Sequence, residues 1–354
     1  MRLEWDSDNR AVVDLEIRHM KERLVRILAM ATYWLGIDAI FYFLNRKAKR
    51  ILTFHSVMPD GLCNGGTTIV AESVTSFRSK IRLLKRRWGF STDINDPRTL
   101  TITFDDGFKN EFEVAGMVLK EEGNIPAILF TATSLIGQEN PEKSLVVDLL
   151  MHWNAGVPDG EYRLEALDTS IKYTRCNRNE VWCKILRPLY AKDGTGMGRN
   201  VLNACDVAYP LAKVLEKFSK EYLRLRLCGV LQQDLAAAKQ RGWKIGSHSV
   251  NHYVFSALNT KRKADELEAP SNMKDAVFSY PYGEMQSIDA ETIKLAEEAG
   301  YPGAVSNLPD AGGRASKYFL PRISLPNDPY LIHFELSGAK TFLKTRRLLP
   351  VIRI

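Results

Sequence analysis

Residues 100–107 read LTITFDDG, a short apolar and β-rich run that ends in two adjacent carboxylates and a glycine. The same plan recurs along the chain, where apolar runs end in polar residues and helical patterns follow them. The other runs lie at 50–54, 127–133, 244–247, 276–280 and 303–306. This alternation predicts an α/β fold with parallel strands joined by crossovers, either an open sheet or a (β/α) barrel.

Helical patterns separate the strand-like runs, at 77–88, 231–240 and 288–299. For the last of these, Ser287 is a suitable N-cap and Gly300 a suitable terminator. The alternation of strand-like runs and helical patterns is interrupted between residues 137 and 227. Because so long a structureless loop is improbable in a compact domain, we expect an insertion there with helices of its own, for example at 210–225.

The composition excludes several classes of protein. With 45% hydrophobic and 26% charged residues among 354, the chain is neither collagen-like, low-complexity nor wholly disordered. Its five cysteines form no CxxC pair, which favours reduced thiols over a disulfide framework or a cysteine zinc site. The net charge is +7, with basic runs at 46–50 and 82–87, but no nucleic-acid motif accompanies them. We therefore expect no nucleic-acid partner.

Residues 27–44 form the one membrane-like segment, an apolar run that contains Asp38 and has basic residues on both sides. Its length just suffices for a membrane span, although only a short linker separates it from the strand at 50–54. We favour a helix that packs on the domain or lies at a membrane surface, with peripheral membrane contact through residues 27–50. No cleavable signal peptide is evident, because acidic residues precede the segment and no A-x-A-like site follows it. We expect a cytoplasmic or membrane-associated protein.

Reactive side chains follow three of the predicted strands at their carboxyl ends, where parallel α/β folds place functional groups. These are His55, Asp105 with Asp106, and His248, with His252 four residues later. Two imidazoles at i and i+4 on a helical turn face the same way and can share a metal. A carboxylate from another strand end completes a three-ligand site with an open position for water, and the second aspartate is then free to act as base. Each pattern alone also fits structural residues, but the combination is specific.

Five sequence elements resemble the polysaccharide deacetylases, carbohydrate esterase family 4 with the NodB-homology domain. In chain order they are 53–57 (TFHSV), 103–107 (TFDDG), 248–252 (HSVNH), 278–283 (FSYPYG) and 320–323 (LPRI). The resemblance covers residues 48–340 and implies a distorted (β/α) barrel. We therefore predict an N-terminal helical segment at 1–47, a barrel at 48–340 with the helical insertion at 137–227, and a tail at 341–354.

The resemblance implies a metal-dependent hydrolase that removes N- or O-acetyl groups from sugars. Carried over by motif, Asp105 is the general base, and Asp106, His248 and His252 bind one divalent metal ion. Zinc is the usual ion, and cobalt or nickel also suits imidazole and carboxylate ligands.

The same resemblance implies that Pro281 and Tyr282 wall the sugar groove, and that the backbone N–H of Tyr282 stabilises the oxyanion.

The sequence departs from the family pattern at two positions. Ser279 stands where many members have an arginine that orients the catalytic aspartate, and Arg322 is our candidate to supply that guanidinium. The late L-x-H motif of the catalytic acid matches His333 in letters only, since residues 328–337 are typical of a helix. His55 is therefore our candidate acid or substrate contact, with a structural core histidine as the alternative.

The leading hypothesis is a deacetylase that acts on an acetylated (amino) sugar of a polysaccharide or its lipid-linked precursor, with carbohydrate as the partner. Two alternatives remain open at this point. One is a carbohydrate-binding pseudo-enzyme that has lost turnover, and the other is a metal amidase acting on a non-sugar amide.

Overall fold

The computed structural model describes residues 7–62, 71–174, 176–192, 198–309 and 315–352, with side chains from Met20 onward. Parts of the predicted N-terminal segment and tail therefore lie outside the described residues. The chain divides into two compact units, Met1–Ala48 with Leu325–Val351, and Lys49–Ser324 with Ile352–Ile354. Residues 325–340, which we assigned to the barrel, thus group with the N-terminal helices.

The secondary structure comprises short strands and helices throughout. The strands are β1 Arg50–Phe54, β2 Ser56–Met58, β3 Ala71–Ser73, β4 Gly89–Phe90, β5 Thr99–Phe104, β6 Ala127–Thr131, β7 Gly160–Leu164, β8 Thr169–Tyr173, β9 Lys244–Ser247, β10 Phe278–Ser279, β11 Ala304–Val305 and β12 Ile323–Ser324. The helices are α1 Ser7–Trp34, α2 Ile37–Leu44, α3 Val74–Lys85, α4 Gly116–Glu121, α5 Val146–Gly156, α6 Arg178–Val181, α7 Arg187–Lys192, α8 Arg199–Ala208, α9 Leu211–Leu215, α10 Lys220–Leu227, α11 Gln232–Gln240, α12 Thr260–Glu266, α13 Ala290–Glu298, α14 Pro329–Ser337 and α15 Ala339–Thr345.

A parallel sheet positions the functional residues of the larger unit. Its strands run in the order β12-β1-β5-β6-β9, and β4 pairs with the start of β5. Every residue of β1 and β6 is buried, as expected for parallel strands covered on both faces. Since Phe54 pairs with Phe104 in register, the residues that follow β1 and β5 meet at one edge of the sheet.

The α/β class with parallel strands is confirmed. Among the described residues, β10 and β11 form a separate parallel pair rather than joining the sheet, and the strands make no continuous hydrogen-bonded ring. The distorted barrel therefore stays a prediction.

The helix predicted at 288–299 shows how local capping differs from the sequence pattern. Helix α13 begins at Ala290, because Asp289 accepts the N–H of Thr292 at 2.8 Å. Ser287 was the wrong N-cap, since its hydroxyl donates to the carbonyl of Glu284 in the preceding turn. Gly300, with a φ of 84°, terminates the helix as expected.

The segment predicted as a helical insertion contains helices α5–α10 and also an antiparallel hairpin, β7–β8, which the sequence analysis missed. The helix predicted at 210–225 is two helices, α9 and α10. They separate at Ser219, whose hydroxyl accepts the N–H of Tyr222 at 3.1 Å and caps the second helix. The described free cysteines are Cys176, Cys183, Cys205 and Cys228.

The smaller unit is helical. Helix α14 begins as predicted, because Asp328 accepts the N–H of Tyr330 at 2.9 Å. His333 lies on this helix with its ring 5.1 Å from that of Tyr33, as expected for a helix-face histidine rather than a catalytic acid. No single helix among the described residues is long and apolar enough to cross a membrane. The helical segments Met20–Trp34 and Ile37–Leu44 are together long and apolar enough, but they meet at a bend of 83°.

Candidate metal and catalytic site

The turn after β5 carries two carboxylates and depends on a glycine. Asp106 and Gly107 both have positive φ angles, 87° and 88°. A Cβ on Gly107 would lie 2.3 Å from Cγ2 of Thr131, so the turn excludes any side chain there. The backbone N–H of Gly107 donates to buried Glu111 at 2.9 Å, and burial raises the pKa of Glu111 well above its ordinary value. Glu111 was not singled out from the sequence.

Three predicted metal ligands, Asp106, His248 and His252, converge in the structure. The Nε2 atoms of His248 and His252 lie 3.6 and 3.3 Å from Oδ1 of Asp106. One potential ligand atom from each buried residue lies within 4.8 Å of the other two. Oδ1 of Asp106 is buried and accepts no hydrogen bond from the described residues. Because an unpaired buried carboxylate oxygen is costly, this donor set fits a divalent cation.

The histidines are held in the form that binds metal. Nδ1 of His248 lies 2.8 Å from the carbonyl oxygen of Ser279, so that nitrogen carries the proton and Nε2 keeps its lone pair. Burial lowers the pKa of His248 and of His252 to about 4. Both imidazoles are therefore neutral near pH 7, which is the state that ligates a metal.

The two histidines reach each other by a route different from the one predicted. Residues 248–254 form no helical turn, and Ser249 and His252 have left-handed φ angles of 67° and 61°. The hydroxyl of Ser249 accepts the N–H of His252 at 2.8 Å and holds the loop closed. The rings are 4.9 Å apart, so the expected helix was wrong although the convergence was right.

Arg322 forms a forked ion pair with Asp105, and both side chains are fully buried. Its Nη1 and Nη2 donate to Oδ1 and Oδ2 of Asp105 at 2.7 and 2.5 Å. Burial raises the pKa of Asp105, but the charge and hydrogen bonds of Arg322, together with the nearby imidazoles of His248 and His55, outweigh burial and hold the pKa well below the ordinary value. The structure thus brings together the residues that we expected to compensate for the missing motif arginine.

Ser279 and Asn307 complete the surroundings of this pair. Ser279 donates its hydroxyl to Oδ1 of Asp105 at 3.1 Å. Asn307 accepts from Nη2 of Arg322 at 2.6 Å and donates to the carbonyl of Tyr282 at 3.1 Å, so it connects the ion pair to the predicted groove wall. Asn307 was not predicted from the sequence, although it follows β11 just as the other site residues follow their strands.

A cavity of about 430 Å³ opens beside the metal ligands. His55, Asp106, His252 and Tyr282 line it, which places the predicted catalytic acid and one groove residue on the same cavity as two ligands. The Tyr282 ring is 4.8 Å from that of His252. Pro281 is buried next to Tyr282 and is not among the residues that line this cavity.

Residues between 137 and 227 supply much of the remaining wall. They are Val147, Asp148, Met151, Trp182, Arg187 and Arg226. Asp148 and Arg226 form a buried ion pair at 2.7 Å, and Nε and Nη1 of Arg226 have no hydrogen-bond partner among the described residues. These residues belong to no recognisable motif and were therefore not predicted from the sequence.

Comparison with known proteins finds solved structures of low sequence identity. No family model matches the sequence, and no curated protein matches it. The deacetylase PplD of Streptococcus pyogenes, solved with acetate, is 13% identical with a TM-score of 0.46 and covers 82% of this chain and 98% of its own. IcaB from Ammonifex degensii is 14% identical with a TM-score of 0.45, and the match covers 82% of this chain and 97% of IcaB. BC0361, a polysaccharide deacetylase from Bacillus cereus, is 12% identical with a TM-score of 0.46, and the match covers 81% of this chain and 68% of BC0361.

At such low identities, and with TM-scores below 0.5, the three structures are not evidence of a shared activity. The case for function lies in the geometry of the site.

Proposed function

We propose that this protein is a metal-dependent deacetylase that hydrolyses acetyl groups from an acetylated (amino) sugar of a polysaccharide or its lipid-linked precursor. One observation carries the proposal. Asp106, whose Oδ1 is unpaired between two neutral imidazoles, directly follows Asp105, which Arg322 keeps ionised. This arrangement provides a cation site and a general base side by side, the two components that metal-assisted hydrolysis of an amide or ester uses at neutral pH.

Asp106, His248 and His252 would hold one divalent ion, with zinc the first candidate and cobalt or nickel also suited to these ligands. When bound, such an ion polarises the acetyl carbonyl and lowers the pKa of water towards about 7. Side chains and the backbone of the protein would carry out proton transfer and stabilise the tetrahedral intermediate.

Asp105 would accept the proton of the attacking water. Its Oδ1 already accepts hydrogen bonds from Arg322 and Ser279. Its Oδ2 accepts one bond from Arg322 and lies 4.0 Å from Nε2 of His248, on the side of the metal ligands. Oδ2 is therefore the oxygen that retains a lone pair for the proton.

His55 would return a proton to the leaving group, because it lines the same cavity and follows β1 at the carboxyl edge of the sheet. The backbone N–H of Tyr282 would stabilise the negative oxygen of the tetrahedral intermediate. Asn307 supports that position, since it donates to the carbonyl of Tyr282.

The cavity suits a carbohydrate. Its size lies in the ordinary range for small-ligand sites, and its wall combines the aromatic rings of Trp182 and Tyr282 with charged groups such as Glu284. Aromatic faces pack on sugar rings, and charged side chains hydrogen-bond the hydroxyls. This composition supports a sugar substrate over a purely apolar amide.

The test is acetate release from a panel of N- and O-acetylated glycans, measured with metal-loaded protein before and after chelation. We expect release from at least one glycan, loss with the chelator and recovery with zinc. His248→Ala should be inactive, whereas His333→Ala, the matched histidine control in the smaller unit, should keep its activity. Absence of release from every glycan, or release that the chelator leaves unchanged, would contradict the proposal.

A further inference from the structure

The exposed apolar side chains of this protein are concentrated in its smaller unit. Among the described residues, Met117 and Val207 are the only exposed large hydrophobic side chains of the larger unit. All the others belong to the smaller unit, and most lie on α1 and α2. Exposed apolar side chains that are concentrated in one part of a protein mark an interaction site.

Helix α1 carries an apolar stripe that does not face its own core. Val25 and Ala29 pack towards Phe334 on α14, as a core-facing stripe should. A second set of apolar side chains recurs at helical spacing on the exposed side, and helix α2 adds three more. We call this set the apolar ridge: Leu24, Ile27, Leu28 and Trp34 of α1, Leu35 in the turn that follows, and Ile40, Phe43 and Leu44 of α2.

The apex of the apolar ridge is its most exposed part. Helix α1 ends at Trp34, and the left-handed Gly36, with a φ of 69°, redirects the chain into α2. The two helical segments meet at 83°. Trp34 and Leu35 at the bend are 71% and 73% exposed. Because Trp34 and Leu35 project at the bend between α1 and α2, this pair of helices is better suited to insert these two side chains into a soft surface than to lie along a groove.

Basic residues border the apolar ridge. Arg46 and Lys47 follow α2 and are exposed, and the guanidinium of Arg46 lies 4.3 Å from the ring centroid of Phe43. Over residues 20–48 and 325–351, Lys and Arg stand at 21, 23, 26, 46, 47, 340, 344, 346 and 347, against Asp and Glu at 22, 38, 328 and 335. These stretches therefore carry five more positive than negative side chains, and Arg46 lies directly beside the apolar ridge.

We propose that the apolar ridge docks on an anionic lipid bilayer, with Trp34 and Leu35 inserted at the level of the headgroups. An amphipathic helix with apolar and aromatic side chains beside basic ones lies in the membrane interface, and anionic headgroups attract the basic border. A second copy of the chain is a poorer occupant, because it would bring two basic borders together. The proposal does not depend on the proposed deacetylase activity.

The test is co-sedimentation of the full chain with phosphatidylcholine vesicles, with and without added phosphatidylglycerol. Trp34→Glu/Leu35→Glu should weaken binding at least about tenfold, the scale of losing a buried large apolar side chain. Val207→Glu and Met117→Glu place the same charge on exposed apolar positions of the larger unit and should bind normally. Arg46→Gln and Lys47→Gln should each cost roughly fivefold on the phosphatidylglycerol vesicles only.

Circular dichroism and metal content should be the same in all these variants, which separates loss of docking from loss of folding or of the metal site. No vesicle binding by the wild-type chain at low salt would overturn the proposal. So would equal losses in the Val207 and Met117 controls. A dimer in solution that Leu35→Glu dissociates, without vesicle binding, would assign the apolar ridge to a second copy. Retention of the protein in membranes after alkaline carbonate would mean a span.

Discussion

Replacing Arg322 with methionine tests how the general base is kept ready. The guanidinium bonds both oxygens of Asp105, at 2.7 and 2.5 Å, inside a fully buried pair. With an effective dielectric constant of about 20 and charges about 4 Å apart, the attraction is about 4 kcal/mol, or about 3 pKa units. Arg322→Met should therefore raise the pKa of Asp105 from far below the ordinary range of an aspartate to a value within or above that range.

The expected kinetic result has two parts. Near pH 7 Asp105 of Arg322→Met is still largely ionised, so the loss in kcat reflects the lost orientation and should be about 10²-fold. Between about pH 4 and 6 a further acid limb should appear in the pH–rate profile, because Asp105 now takes up a proton there. Arg322→Lys should remove the acid limb yet restore only part of kcat, since a point charge lacks the fork.

Folding and metal content must be measured alongside. Since the pair lowers the pKa of Asp105, it stabilises the fold above about pH 4 and this contribution is lost as the pH falls. Removing one partner of a buried pair costs about 3–5 kcal/mol, so unfolding midpoints define the temperature at which kinetics are meaningful. Ser279→Ala, which removes the hydrogen bond of an uncharged donor to the charged Asp105, is the matched control with a loss of about 2 kcal/mol. A folded, metal-loaded Arg322→Met enzyme with wild-type kcat and no new acid limb would refute the reasoning.

Three further variants test other parts of the site. Gly107→Ala should destabilise the fold by about 1–3 kcal/mol and weaken metal binding, because its Cβ would meet Thr131 at 2.3 Å; thermal unfolding against Gly61→Ala, where nothing lies within 4 Å, gives the comparison. Trp182→Ala should raise KM for the glycan substrate about tenfold at unchanged metal content, and an equal effect of Trp34→Ala on KM would contradict a stacking role. Arg226→Met should lower the free energy of unfolding by about 3–5 kcal/mol in urea, because Asp148 is left buried and unpaired, and adding Asp148→Leu should recover most of the loss.

The sequence predicted the strand ends of the site well because each apolar run stops where the chain turns polar. Strands β1 and β9 have the predicted bounds, and Asp105, Asp106 and His248 follow buried strands as expected. In parallel strands such residues meet at one edge whatever the intervening loops do. That is why the pattern LTITFDDG, combined with the histidines that follow β1 and β9, placed the candidate centre.

The remaining features depend on contacts that no local pattern encodes. Left-handed backbone at Ser249 and His252 is uncommon for non-glycine residues, so a helical turn was the natural but wrong expectation. The ion pair of Asp148 and Arg226 joins α5 to α10 across many residues of sequence and has no motif. The hairpin β7–β8 was missed because its strands are largely exposed and mixed in polarity.

Metal content and acetate release, measured on the same samples of Asp105→Asn and Asp106→Asn, test the central claim most directly. Asp106 contributes the unpaired oxygen between His248 and His252, whereas Asp105 is bound by Arg322. The account predicts that Asp105→Asn keeps about one divalent ion per chain but loses nearly all acetate release, and that Asp106→Asn loses both. Equal metal loss in the two variants, or an Asp105→Asn protein that releases acetate at the wild-type rate, would contradict this division of roles.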